Sequence, residues 1–354
     1  MRAFVETRLH PHADEWERAG WFPNEAFGWL AQAGYLGLRF DPAYGGAGDP
    51  AAAAVFVEEL ARCGSGGLAA GLGAHAGIAL PPIEHFGTEE QKQRYLVPGL
   101  RGERVAALAI TEPGAGSDVA GLRTHARRVD GGWVVNGSKT FITGGVRADV
   151  LVCAVRTRPE GGHQGISFLL IEKGEGVGVS PLRKLGWHAS DTAEIALHDV
   201  FVPEAGLLGA EHGGFGLIMA NFQWERLLMA LGAIGAMQAC FEQTLAFVLR
   251  GGRRPGQAVR HRLASIALEI EAGRAITYHA LRRHLAGLDA VREVTIAKLR
   301  TQRAAFDVID TCLGLHGLDA PAELERAARD ARLGPIGGGT DEIMKEILGR
   351  SLGL

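Results

Sequence analysis

The feature that most constrains the fold is a change of period in the middle of the chain. From Met1 to about Glu103, apolar residues recur at three- and four-residue spacing, as in AFGWLAQAGYLGL and AAAAVFVEELARC, with PAYGGAGDP as a break between them. That spacing gathers them on one face of a helix. HFGTEEQKQRYLVPGL reads as a further helix: Thr88 caps it, charge fills its first turn and Pro98 ends it. From Val105 the texture changes to short alternating or β-branched runs: RVAALAIT, THARRV, WVVN, KTFIT, DVLVCAV, GISFLLI and TAEIALHDVFV. Turn signals at Asp130-Gly131-Gly132 and at Asn136-Gly137 separate some of them, the second reading as a hairpin. After GLLGAEHGGFG the helical period returns, first as one long helix from Phe215 to about Arg250. GGRRPG breaks it; stretches at about 257–285, 290–315 and 321–332 follow, then a last helix capped at Thr340. The expected architecture is an α+β multidomain chain: a helical domain over 1–104, an antiparallel β barrel or sandwich over 105–204, and a helical bundle over 205–354.

Composition excludes several function classes. Lys and Arg number 37 against 40 Asp and Glu, so no basic face argues for nucleic acid. The longest apolar stretch, LLMALGAIGAMQACF from Leu227, is too short for a membrane span and is interrupted by Gln238. The N-terminal stretch is acidic and lacks an apolar core, so no secretory or transit signal is expected. Cys63, Cys153, Cys240 and Cys312 lie far apart without metal spacing, as buried thiols of a reducing compartment do. The expectation is a cytoplasmic protein.

Candidate chemistry sits in four places. ALAITEPGAGSD, from Ala107 to Asp118, runs a strand into Pro113 and a glycine-rich loop whose N–H groups can cradle a phosphate or a ring edge. Taken alone it is an ordinary strand-to-turn connection, and it matches neither a Walker loop nor a dinucleotide fingerprint. Phe141-Ile142-Thr143 alone is simply the end of a strand. Glu225, in NFQWERLLMALG, shares a helical stripe with Ile218, Asn221, Phe222, Leu228, Met229 and Gly232. A carboxylate drawn into apolar surroundings has a raised pKa and is a strong base once ionised; a structural Glu paired with a distant Arg explains the pattern equally well. Arg226 is expected to point elsewhere, because i and i+1 do not share a helix face. The fourth place is GPIGGGTDEIMKE, where three glycines precede the capped helix and backbone must press closely against something. His75, His188, His261 and His316 have no partner at useful spacing and read as surface or satisfied core residues, and no GxSxG supports a serine hydrolase.

In order and spacing, these pieces resemble one family, the acyl-CoA dehydrogenases. VETRLHPHADEWERAG, YLGLRFDPAYGGAG, HFGTEEQKQRYL, ITEPGAGSD, FITGG, LGWHASDTAEIALHDVFVP, HRLA, RDARL and GGGTDEIMKEILGR carry the likeness along nearly the whole chain. The resemblance implies a helical domain, a β domain and a C-terminal four-helix bundle, with FAD between the last two. It implies oxidation of an acyl thioester, on coenzyme A or an acyl carrier protein, to the trans-2-enoyl form. A carboxylate takes the α-proton, the β-hydride passes to flavin N5, and an electron-transfer flavoprotein accepts the electrons. By the same resemblance Leu108, Ile110, Thr111, Gly116, Ser117, Phe141, Ile142, Thr143, Thr340 and Glu342 meet the flavin. Ser117, Arg226, Gly338 and Gly339 meet the substrate, the Gly338 N–H holding the thioester carbonyl.

Three departures qualify it. Many members carry the catalytic glutamate at the position of Gly338; a long-chain and isovaleryl-type subset places it on the long bundle helix, before an Arg-Leu pair. Glu225-Arg226-Leu227-Leu228 matches that subset, which makes Glu225 the expected base. The partner-facing FAD motifs are altered twice: LRGGRRPGQAV lacks the phenylalanine, and Gly314-Leu-His-Gly317-Leu318 lacks the Gln and the second Gly. Arg250, Arg253 and Arg254 remain to meet phosphate electrostatically. Either a homo-oligomer (dimer or tetramer) binds FAD more loosely, or a related subunit of a hetero-oligomer supplies that half. The rival readings are a flavin-dependent monooxygenase on the same fold and a non-catalytic half-site subunit.

Overall fold

The computed structural model describes residues 1–250, 252 and 254–354. The helical N-terminal part contains α1 (Ala13–Ala19), α2 (Glu25–Gln32), α3 (Pro50–Leu60), α4 (Gly66–Ala74) and α5 (Leu80–Phe86). Trp16, Phe22, Phe27, Leu30, Phe56 and Leu60 interlock as its core. Thr88 caps the next helical run in a full capping box with Gln91, a device worth about 1 kcal/mol. Pro98 does not end that run, which continues through Val97–Leu100. The π-helical turn Lys92–Leu96 precedes it, and the shift to i→i+5 bonding puts the proline at the start of a new turn, where no N–H is needed.

The middle part is one eight-stranded sheet: β1 (Ala106–Ala109), β2 (His125–Val129), β3 (Gly132–Ile142), β4 (Val150–Arg156), β5 (Ile166–Glu172), β6 (Val177–Pro181), β7 (Ala193–Pro203) and β8 (Leu207–Leu208). Its order is β6-β7-β3-β2-β4-β5-β8, with β1 against β4. Pairing is mostly antiparallel, but β1 runs parallel to β4. Val150, Val152 and Ala154 of β4 enter the cluster shared with the helices. Leu151, Cys153 and Val155 enter the cluster enclosed by β3 and β7. A strand covered on both faces reads as the unbroken apolar run VLVCAV.

WVVN and KTFIT are one strand, β3, and Asn136-Gly137 is not a hairpin. The register against β7 slips there, and the Asn136 amide exchanges two hydrogen bonds with Asp199, at 2.9 and 3.0 Å. Gly137 is required because a β-carbon would meet Thr124 at 2.5 Å. The dipeptide marks a bulge.

The C-terminal part contains α6 (Gly214–Leu249), α7 (Gln257–Leu285), α8 (Val291–His316), α9 (Ala322–Asp330) and α10 (Asp341–Ser351). α6, α7 and α8 pack on one another and α10 lies on α8. α6 also crosses α3, at Gly235, whose β-carbon would sit 2.0 Å from the Glu58 carbonyl oxygen. Buried polar groups hold the three parts together. The Ala106 N–H of β1 donates to His75 Nδ1 while His75 Nε2 bonds the Gly99 carbonyl, so this histidine is a satisfied core residue. Asp330 accepts from the N–H groups of Gly66 and Trp187. Arg147 pairs with Asp191 at 2.9 Å and stacks on Trp21 and Phe22. All four cysteines are buried and free. Among the described residues no helix is long and apolar enough to cross a membrane.

Candidate active site

Glu225 lies about a third of the way along α6, on the stripe that faces the glycine loop between α9 and α10. Met229, one turn further along the same face, shows that facing. A β-carbon at Gly338 would come within 2.3 Å of Met229 Sδ, and one at Gly337 within 3.6 Å of Met229 Cε. Glu225 keeps some exposed surface. Its carboxyl is nevertheless stripped of most of its water, and burial pushes it up to about 7 against the opposing charges of Arg226 and Lys298. Arg226 does not point away as helix geometry alone predicted. Its side chain is long enough to come round to the same loop, donating from Nε to the Gly338 carbonyl at 3.3 Å and lying over Phe222.

The glycine loop itself is held from behind. Gly338 and Gly339 have φ of +61° and +99°, in the region that favours glycine. Gly338 therefore excludes a side chain twice, by its backbone and by Met229. Thr340 caps α10 by accepting from the Ile343 N–H. Among the described residues the N–H groups of Gly338, Gly339 and Thr340 have no acceptor in the chain, three free donors in succession at a helix N-terminus. Glu342 is exposed in the first turn of α10.

The second group of expected residues gathers where β1 and β3 end. The Thr140 N–H donates to the Thr111 carbonyl at 2.9 Å, tying the two segments together. Gly116 and Ser117 are exposed on the loop after β1. A β-carbon at Gly114 would meet nothing within 4 Å and one at Gly116 only Thr111, at 3.8 Å. Neither glycine is demanded by packing inside the chain, and the loop surface around them is open. Phe141 stands 69% exposed with φ of +58°, a strained conformation for an aromatic residue and characteristic of functional positions. Thr143 is half-buried beside it, whereas the Ile142 side chain is in the β core and leaves only main chain available. Ile110 and Leu108 belong to the same apolar cluster as Phe222, the residue under Arg226, which joins this group to the Glu225 group.

Sequence reading missed the residues that hold these loops. Glu112 accepts from the N–H groups of Arg123 and Thr124 and pairs with the buried Lys139 at 2.8 Å, staking out the loop that carries Gly116 and Ser117. Lys298 of α8 donates to the carbonyls of Gly334, at 3.0 Å, and Gly339, at 2.6 Å. The signal was available: Val294, Ala297, Lys298, Thr301 and Ala305 form one helical stripe, and a lysine in such a stripe must find buried acceptors. On the side expected to face a partner, Arg253 lies outside the described residues. Leu318 is fully exposed, and His316 stacks on Phe247 at 4.1 Å.

Three family models cover almost the whole chain: acyl-CoA dehydrogenase, N-terminal domain over 1–103, middle domain over 107–200 and C-terminal domain over 212–353. The mitochondrial isovaleryl-CoA dehydrogenase of Solanum tuberosum is 35% identical over 99% of this chain and 88% of its own. The mitochondrial long-chain specific acyl-CoA dehydrogenase of Sus scrofa is 36% identical over 99% and 84%. Among solved structures, an acyl-CoA dehydrogenase from Geobacillus kaustophilus superposes with a TM-score of 0.95 at 38% identity, covering 100% of this chain and 96% of that one. A chain in a structure of the electron transferring flavoprotein of Acidaminococcus fermentans gives 0.94 at 32%, covering 99% and 95%. The FAD complex of PigA gives 0.95 at 29%, covering 100% and 95%.

Proposed function

The chain belongs to the acyl-CoA dehydrogenase family, and from that premise we propose that it dehydrogenates an acyl-CoA, with Glu225 as the base that removes the α-proton. The observation that carries this reading is a single desolvated carboxyl, pushed up to about 7, on the helix face beneath a loop with three free N–H donors. An α-proton becomes removable when the neighbouring carbonyl oxygen is held by such donors as charge builds on it. The base must also be dry, since a hydrated carboxylate is too weak. Gly338, Gly339 and Thr340 meet the first need and Glu225 the second, while Arg226 holds the Gly338 carbonyl away from the donors' side.

FAD is the fitting cofactor. Thr111, Gly116, Ser117, Phe141 and Thr143 form an exposed, partly strained platform whose glycines leave room for a planar ring, with Thr340 and Glu342 on the α10 side. When bound, FAD supplies the acceptor for the β-hydrogen and its electron pair. An electron-transfer flavoprotein is the matching acceptor, in keeping with the Acidaminococcus neighbour.

The test is anaerobic addition of short, branched, medium and long acyl-CoAs to the purified flavoprotein while the visible flavin band is followed. One class should bleach the band, at a rate that rises with pH through about 7, and Glu225→Gln should keep the flavin and lose the bleaching. Retained bleaching in Glu225→Gln would move the base elsewhere.

A further inference from the structure

Two lysines of this protein have essentially no exposed surface, Lys139 and Lys298. Lys139 has a carboxylate at 2.8 Å. Among the described residues Lys298 has none within 4.0 Å, and its ammonium is met instead by the carbonyls of Gly334 and Gly339. Burying an ammonium costs several kcal/mol, and an apolar residue of similar volume usually serves packing as well or better. A purely structural role is thus poorly matched to a lysine here. The two carbonyls lie at opposite ends of the glycine loop, so one cation folds that loop onto α8. Peptide groups are planar and trans, so drawing the Gly339 oxygen toward Lys298 turns the following N–H, that of Thr340, to the other side. Arg226 does the same to the Gly338 oxygen and the Gly339 N–H. Both of those N–H groups lack an acceptor in the chain.

We propose that Lys298 is a positioning residue for the reaction: it fixes the glycine loop through the carbonyls of Gly334 and Gly339, turning the loop's amides outward, and it sets a positive charge within electrostatic reach of the Glu225 carboxyl. The proposal rests on Glu225 being the base. The charged groups around that carboxyl are Arg226 on its own helix and Lys298 on α8. Asp341 of α10 faces Lys298 and is itself bonded to Arg303. With Lys298 removed, Arg226 alone opposes the desolvation that holds Glu225 protonated. Burial lowers Lys298 to about 8, so it is still mostly charged at the midpoint of Glu225's ionisation and begins to lose its proton as that ionisation completes.

The experiment compares holoenzyme of wild type, Lys298→Met, Lys298→Arg and Glu225→Gln. Infrared difference spectra follow the protonated-carboxyl band that Glu225→Gln abolishes, against pH and without substrate. Lys298→Met is expected to raise the midpoint of that band by about one pH unit. The same shift slows acyl-CoA bleaching at pH 7 roughly fivefold, with recovery near pH 9. Lys298→Arg, which keeps the charge, should leave the midpoint near wild type. An unmoved midpoint in folded Lys298→Met, or an equal shift in Lys298→Arg, overturns the proposal. If Lys298→Met does not fold, the wild-type band decides it: because Lys298 loses its proton near pH 8, the Glu225 band must titrate over a wider pH range than an isolated carboxyl, and a curve of simple one-proton shape sinks the idea. The infrared measurement needs no turnover, so a protein that no acyl-CoA bleaches refutes the dehydrogenase reading separately.

Discussion

Replacing Glu225 by glutamine should make the protein more stable at pH 8 and have only about a quarter of that effect at pH 5. The carboxyl moves from its ordinary 4.5 to about 7 in the folded chain. At about 1.4 kcal/mol per pH unit, ionising it there costs roughly 3 kcal/mol more than ionising it in the unfolded chain. Because the folded value is the higher one, the folded protein holds the proton more tightly. The penalty is therefore absent below pH 4.5, grows between 4.5 and 7, and is complete above. Glutamine keeps the shape and removes the charge, so it removes the penalty. For 354 residues, unfolding entropy of roughly 2 cal/mol/K per residue turns 3 kcal/mol into a rise in Tm of about 4 °C at pH 8. Scanning calorimetry on wild type and Glu225→Gln with matched flavin content, at both pH values, measures it. Equal Tm differences at pH 5 and 8 would mean the carboxyl is not desolvated. A lower Tm for the variant at pH 8 would mean that Glu225 is a structural ion-pair partner of Arg226 or Lys298, and the case for a base would fall.

Other outcomes follow from the same geometry. Gly338→Ala should destabilise through its left-handed backbone, by about 1 kcal/mol, and through overlap with Met229, by about 1–3 kcal/mol; denaturant melts of Gly338→Ala and Gly338→Ala/Met229→Ala should show the second change restoring only the second part. Phe141→Ala should leave the flavin-free protein within about 0.5 kcal/mol of wild type yet weaken FAD binding roughly five- to tenfold, the worth of one aromatic contact, as read by fluorescence titration. Glu112→Ala leaves Lys139 buried without its carboxylate and should cost about 3–5 kcal/mol in a denaturant melt.

Much of this arrangement was legible because long periodic segments declare themselves. The bounds of α6 and α7 fell within a residue or two of those expected from spacing alone. What failed was local punctuation overruled by neighbours distant in sequence. Asn136-Gly137 carries a hairpin signature, but Asp199 and Thr124, on other segments, convert it to a bulge. Pro98 carries a stop signature, but a π-helical turn ahead of it removes the need for its missing donor. β6 and β8 were not singled out, being a short exposed edge and a two-residue pairing. The base was legible because a carboxylate in an apolar helical stripe is a local anomaly. Arg226 and Lys298 were harder to place, since their partners are main-chain carbonyls that no residue type announces.

The glycine at 338 and the glutamate at 225 are two halves of one constraint. Met229 fills the volume that a side chain at 338 would need, and Met229 is fixed by its place one turn from Glu225 and by Gln302, whose amide donates to the Met229 carbonyl at 2.6 Å. The site also has a limited capacity for negative charge: two cations, Arg226 and Lys298, hold one carboxyl to a value of about 7. A second carboxylate in the same dry space would push one of the pair still higher and leave it protonated. Adding glutamate at 338 to Glu225→Gln should therefore fail to restore bleaching, because the new side chain meets both an occupied volume and a backbone that only glycine adopts readily. Restoration would show that the loop can move far enough to exchange bases, and that Met229 yields rather than holds.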